Sequence, residues 1–238
     1  MSVQQSTNNE TANLHTSTVQ FWILLFLSLL VLTGCASPGA DNPPGDAVEE
    51  VAAALPFSEN STIFEINPAD SEARFLIDEI LYGEEKRVVG KTSQVSGQIA
   101  VDFADPSTAA AGPIKVDART LETDSGFRNR AIQNRILLAG IYSHIIFTPT
   151  AVNGLPAEIV IGEAVEFEIE GDLTITTITH PVTFAVTAVP LSESRLEGSA
   201  ATSVNRSDFD LIVPSATGVA AVAEEVILEL DFVATAAE

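Results

Sequence analysis

The stretch Glu166–Thr176 alternates residue by residue. Phe167, Ile169, Leu173 and Ile175 fall on one face, and Glu166, Glu168, Glu170, Asp172, Thr174 and Thr176 on the other. A period of two is the mark of a β-strand with one dry and one wet side. Val95, Ile99, Val101 and Phe103 alternate in the same way with Ser96, Gln98, Ala100 and Asp102. So do Ile114, Val116 and Ala118 with Lys115, Asp117 and Arg119, and Val182, Phe184, Val186 and Ala188 with Thr183, Ala185 and Thr187. Val226, Leu228, Leu230 and Phe232 close the chain, and further strands are expected at about 62–66, 73–81, 143–150 and 195–204. Asp105-Pro106, Gly112-Pro113, Asn153-Gly154 and Gly171 read as turn signals between the runs. Strands that are apolar on one side only must cover that side, which a sandwich or a closed barrel does.

One segment breaks the pattern. Asp124–Ala139 shows no alternation, Ser125 is a capping residue, and Phe127, Ala131, Ile132, Arg135 and Ile136 recur at three and four. This spacing predicts a short amphipathic helix, which in a barrel would cover an open end.

The N-terminal part reads differently. Residues 1–20 are polar, and Phe21–Leu32 is an uncharged apolar run of twelve residues. That is short of the roughly 20 needed to span a bilayer and has the length of a signal-peptide core. Leu32-Thr33-Gly34-Cys35 follows at once, and Cys35 is the only cysteine. The quartet resembles the lipobox of bacterial lipoproteins, which implies cleavage before Cys35 and acylation of its thiol. Against that pattern, no Lys or Arg precedes residue 74, so an uncleaved apolar anchor is the alternative. Pro38, Gly39, Pro43, Pro44 and Gly45 mark a spacer. Ala47–Leu55 has the composition for a turn or two of helix. The organisation read here is therefore a signal segment at 1–34, the anchor cysteine and linker at 35–60, and one β domain at 61–238.

The chain carries 33 Asp and Glu against 11 Lys and Arg, a net charge of -22. Such a field repels phosphates, which argues against a nucleic-acid partner. A single cysteine permits neither an internal disulfide nor a thiolate metal cluster, and His15, His144 and His180 lack ligand spacing. No metal, cofactor or catalytic residue is expected, since the chain lacks GxSxG, Walker, GxGxxG and HExxH motifs. A hydrolase built on paired carboxylates stays open as a third reading, although the sequence offers no specific pair.

Three further stretches carry a family resemblance. Gly171-Asp-Leu-Thr-Ile-Thr-Thr-Ile-Thr-His-Pro-Val-Thr-Phe184 is the most specific. Thr123–Arg130 with Asn134–Leu138, and Arg206-Ser-Asp-Phe-Asp-Leu211 followed by Glu225–Leu228, stand in matching order around it. Together they resemble the YceI-like family of polyisoprenoid-binding periplasmic proteins, over about Thr62 to Ala234. Asn129, Tyr142-Ser143 and Thr177 depart from its usual acid, Tyr-Pro and Gly. The resemblance implies an all-β fold, an eight-stranded antiparallel lipocalin-like barrel with one short helix near an end. It also implies a non-enzymatic role in binding a long apolar or amphiphilic ligand, a polyisoprenoid or isoprenoid quinone.

An apolar tube suffices for such binding. The candidates to line it are Phe75, Val95, Ile99, Val101, Phe103, Phe147, Phe167, Ile169, Leu173 and Phe184. Arg119, Arg128, Arg130 and Arg135 place four of eleven basic residues within seventeen positions. Arg128, Arg130 and Arg135 are candidates for a ligand head group, with surface pairing to Asp117, Glu122 and Asp124 as the competing reading. The expected location is the cell envelope, with the membrane reached through a palmitate-type lipid on Cys35. A second copy of the chain is a candidate partner. The alternative function is a non-catalytic scaffold or adhesion module, whose barrel interior would be packed.

Overall fold

A computed structural model describes residues 57–237. The signal segment, Cys35, most of the linker and the turn read at Ala47–Leu55 lie outside the described residues. Twelve strand segments follow one another: β1 (Thr62–Ile66), β2 (Glu72–Leu81), β3 (Glu84–Thr92), β4 (Val95–Ser96), β5 (Gln98–Val101), β6 (Ala110–Ala111), β7 (Ile114–Asp117), β8 (His144–Asn153), β9 (Val165–Ile175), β10 (Ile178–Ser192), β11 (Arg195–Asn205) and β12 (Val219–Ala236). Among the described residues a single α-helix, α1 (Gly126–Ala131), stands between β7 and β8.

The segments combine into eight staves. β1 and β2 are two parts of one stave, since both pair with β12. β3, β4 and β5 form the second, bent near Ser93-Gln94 and Gly97, and pair back onto β2 and β1. β6 and β7 make the third, β4 pairing β7 and β5 pairing β6. β8 to β12 then follow as a meander, each antiparallel to the one before. Because β12 returns to β1 and β2, the ring of pairings closes into the antiparallel barrel that the resemblance implies, rather than the sandwich that the alternation alone also allowed. Closure leaves few strand edges to manage. Where β3 lacks a second neighbour beyond the Lys91–Glu122 bridge, its residues Glu84–Arg87 are charged, a common protection of an edge.

One end of the barrel holds the first strand's start, the loops 102–109 and 154–164, and the Glu193-Ser194 turn. The other holds the Tyr82-Gly83 turn, α1, the Thr176-Thr177 turn and the loop 206–218. Tyr82 and Gly83 both have positive φ, the backbone that a two-residue hairpin turn needs. Two apolar clusters fill the interior. Phe64, Ile66, Val95, Val186 and Phe232 anchor the one nearer the first end, and Leu121, Ile132, Leu137, Ile175 and Phe209 anchor the one beneath the helix.

Three features differ from the sequence reading. β3 was not among the expected strands: its inward positions are Lys86, Val88, Gly90 and Thr92, so its dry side carries little apolar signal. Gly171 lies inside β9 opposite Pro149 rather than in a turn. A Cβ there would fall 2.5 Å from the Thr148 carbonyl and 2.7 Å from the Phe147 ring, so the glycine is required by close approach. The helix is shorter than 124–139. Ser125 caps it, accepting from Arg128 N–H at 3.4 Å. After six residues it widens into a π-turn, Ile132–Ile136, in which Leu137 N–H donates to the Ile132 carbonyl. The wider turn shifts the helical phase. Ile132, Leu137 and Ala139 become buried, while Phe127 is 83% exposed.

Charged ladders grip the outside. Arg74 pairs with Glu72, Glu229 and Asp231, and Lys91 joins Glu72. Lys91 holds the Glu72 carboxyl below its ordinary value, and Arg87 and Arg119 do the same to Asp78 and Asp117. A carboxyl depressed in the folded state stabilises above its unfolded pKa, and the effect is lost as pH falls through the folded value. Thermal unfolding monitored by circular dichroism is therefore expected to shift to lower temperature below roughly pH 4. Gly198 offers a second check. A Cβ at this position would meet the Thr187 carbonyl at 2.5 Å and the Phe232 ring at 2.7 Å. Gly198→Ala should cost about 1–3 kcal/mol in urea unfolding, through a lower midpoint at unchanged slope.

Candidate functional site

The inward faces of all eight staves do not meet at the axis. They enclose a cavity of about 210 Å³. Its wall is built from Ala, Val, Ile, Leu, Phe and Pro, apart from Arg74 and Glu229. These two bond each other at 3.1 Å and, by alternation, sit on the strand face opposite Ala73, Phe75, Leu228 and Leu230. No polar side chain is therefore presented to the interior of the cavity, which stays dry by composition.

Phe75, Ile99, Val101, Phe103, Phe147, Phe167, Ile169, Leu173 and Phe184 all lie around this space. Val95 does not. It is 1% exposed and packs in the core cluster with Phe64 and Ile66. Phe147 and Phe184 meet edge-to-face, their centroids 4.8 Å apart. Leu228, Leu230 and Phe232 of β12 also form wall; their alternation was visible, although they were not among the candidates. Leu155 and Ile159 line it from the loop 154–164, and a loop has no periodicity that would announce them.

The cavity is not symmetric along the barrel. At the helix end it stops at Leu121, Phe75, Leu173 and Leu228, above the buried cluster around Ile132 and Phe209. At the other end its lining runs out into Phe103, Ala109, Leu155 and Ile159 on two loops. With the helix end packed, the side of the cavity nearest to solvent is the loop end, the mouth of the barrel.

The three candidate head-group arginines do not line the cavity. Arg128 reaches from α1 to Glu79, at 2.7 Å, and also pairs with Asp124. Glu79 is an inward-facing carboxylate, 7% exposed, that the sequence reading did not single out. Without a partner it would bear a large desolvation cost, and this is what Arg128 offsets. Lys86 adds a contact to Asp124 at 2.6 Å and holds that carboxyl below its ordinary value. Arg119 pairs with Asp117 at 2.7 Å. Arg130 lies over the Phe127 ring, 4.6 Å from its centroid, and Arg135 is exposed. Asn129, standing where the family usually has an acid, accepts from the Thr123 amide at 2.8 Å and the Thr123 hydroxyl at 2.7 Å, so an amide oxygen serves as the acceptor. Among the described residues, no group of three or more His, Cys, Asp and Glu side chains is placed to hold a metal ion. None of the described helices is long and apolar enough to cross a membrane.

A closed antiparallel ring, one short helix and a dry interior bounded by loops at one end define the lipocalin-like class of barrel. Within it, the chain belongs to the YceI-like family, whose domain model matches residues 64–234. Solved structures agree on the fold. Burkholderia cenocepacia BcnA is 21% identical with a TM-score of 0.56, covering 71% of this chain and 99% of its own. A polyisoprenoid binding domain from Saccharophagus degradans, implicated in plant cell wall breakdown, is 13% identical with a TM-score of 0.57, covering 73% of this chain and 98% of its own. The Campylobacter jejuni YceI protein is 17% identical with a TM-score of 0.52, covering 63% and 85%. No curated protein matches the chain.

The arginines can be told apart by stability. Arg128→Ala strands Glu79 and is expected to cost about 2–4 kcal/mol in chemical denaturation. Arg130→Ala and Arg135→Ala, at exposed positions with no carboxylate partner among the described residues, should each change stability by less than about 0.5 kcal/mol.

Proposed function

We propose that this protein binds one long apolar chain, a polyisoprenoid or the tail of an isoprenoid quinone, inside its barrel, and serves the cell envelope as a carrier or reservoir. The observation that carries this reading is the dry cavity with a mouth at one end. A scaffold module would gain nothing from leaving that space unfilled, because an unfilled apolar cavity costs stability. Burial of about ten ligand carbons contributes on the order of 8 kcal/mol before the costs of association, enough for micromolar-class affinity. No catalytic group is needed for this, and the role proposed is binding alone. The Saccharophagus degradans structure, a polyisoprenoid binding domain with this fold, supports the ligand class.

The proposal extends to location. Phe21–Leu32 followed by Leu32-Thr33-Gly34-Cys35 supports export and a lipid on Cys35, which would tether the barrel to a membrane. Two acyl chains or more would make the attachment lasting.

Native mass spectrometry of the full chain, purified from a bacterial envelope, tests the binding reading. A stoichiometric added mass that extracts as a polyprenyl chain is the expected result. A chain that stays ligand-free when polyprenol is supplied would sink it. Ala200→Trp adds bulk at a wall position and should lower polyprenol binding at least tenfold while the fold is retained.

A further inference from the structure

The cavity mouth, the start of the described chain and a cluster of exposed apolar side chains fall on the same end of the barrel. Loop 154–164 crosses this end. Leu155 and Ile159 face the cavity, whereas the next two residues, Val160 and Ile161, are 43% and 44% exposed. A tight turn presents them, with Glu163 N–H donating to the Val160 carbonyl. Gly162 N–H donates to the Pro190 carbonyl at 2.7 Å, which brings the loop tip beside Leu191, itself 45% exposed. Val160, Ile161 and Leu191 thus share one lip of the mouth.

The start of β1 is at this end too, because Thr62 pairs with Val101 and Phe57 lies near Gly112. Only the roughly 22 residues between Cys35 and Phe57 separate the proposed lipid anchor from the lip. Their reach is at most about 75 Å. The opposite end also exposes apolar side chains, Tyr82, Phe127, Ile141 and Ile212. It has neither the mouth nor the chain's entry.

We propose that the lip formed by Val160, Ile161 and Leu191 docks the barrel mouth-first on the lipid bilayer that holds the anchor, so that a chain passes from the acyl region into the cavity without crossing water. The purpose assigned to docking rests on the binding reading above, and the choice of end rests on the anchor proposed at Cys35. Glu158, Glu163 and Glu193 flank the lip and are exposed. Their charge makes a zwitterionic surface the favoured one. Anionic lipid should repel the lip at low salt, and salt should relieve that repulsion as the screening length shortens to about 8–10 Å near physiological strength.

The test uses the full chain reconstituted in phosphatidylcholine vesicles. Hydrogen exchange is expected to slow in 154–164 and 189–193 relative to the chain in detergent. It should slow less on phosphatidylglycerol vesicles at low salt, and recover with salt. Protection at 126–141 and 206–218 instead, or at neither end, would overturn docking by the lip. The variant V160S/I161S/L191S should take up a fluorescent polyprenol from vesicles at least tenfold more slowly, yet bind the same polyprenol normally when it is dispersed in detergent. Phe127→Ser with Ile212→Ser should leave the uptake rate unchanged. An unchanged rate in the lip variant would also overturn the proposal. A wild-type chain that binds no polyprenol but is protected at the lip would refute the ligand and leave the docking supported.

Discussion

The rest of this structure depends on a width. Eight staves joined edge to edge fix the bore of the tube, and every inward side chain must share that bore. Two glycines show how tight the wall is. At Gly171 and Gly198 a phenylalanine ring, Phe147 or Phe232, lies directly on the neighbouring backbone, where a methyl group would collide. A ring seated on a glycine keeps closer to the wall than one seated on a larger residue, which leaves more of the axis free.

The two ends of the tube are finished by different physics. At the helix end, an inward carboxylate, Glu79, is met by Arg128 from α1, and Lys86 and Asp124 extend the contact. Charges are neutralised there beside a packed apolar cluster, so the end is closed. At the loop end the residues that border the cavity are apolar on both sides of a single loop. One end holds the helix to the barrel; the other bounds the cavity with two loops.

Much of the wall was legible in the sequence because a strand that is wet outside and dry inside writes its geometry with a period of two. Phe167, Ile169, Leu173 and Phe184 were readable as one side of two strands, and the structure puts them around the cavity. The signal failed where the inward side is not uniformly apolar. β3 places Lys86, Gly90 and Thr92 inward and so resembles no one-faced strand. Leu155 and Ile159 reach the cavity from a loop. Val95 obeyed the alternation but follows the bend at Ser93-Gln94, which turns it toward the core cluster. The Arg128–Glu79 pair spans 49 positions, and no local pattern marks it.

The ring has one join that is unlike the others. Seven of the eight joins bring together staves that are consecutive along the chain, the longest connection being the 26 residues between β7 and β8 that carry α1. The eighth unites β12 with β1 and β2, and its Arg74–Glu229 bond links residues 155 positions apart. Closing a loop of that length carries the largest entropic cost in the fold. Until β12 pairs with β1 and β2, the other staves form an open sheet whose apolar face is uncovered. The cavity is thus complete only when β12 is in place, since that strand supplies wall as well as closing the ring.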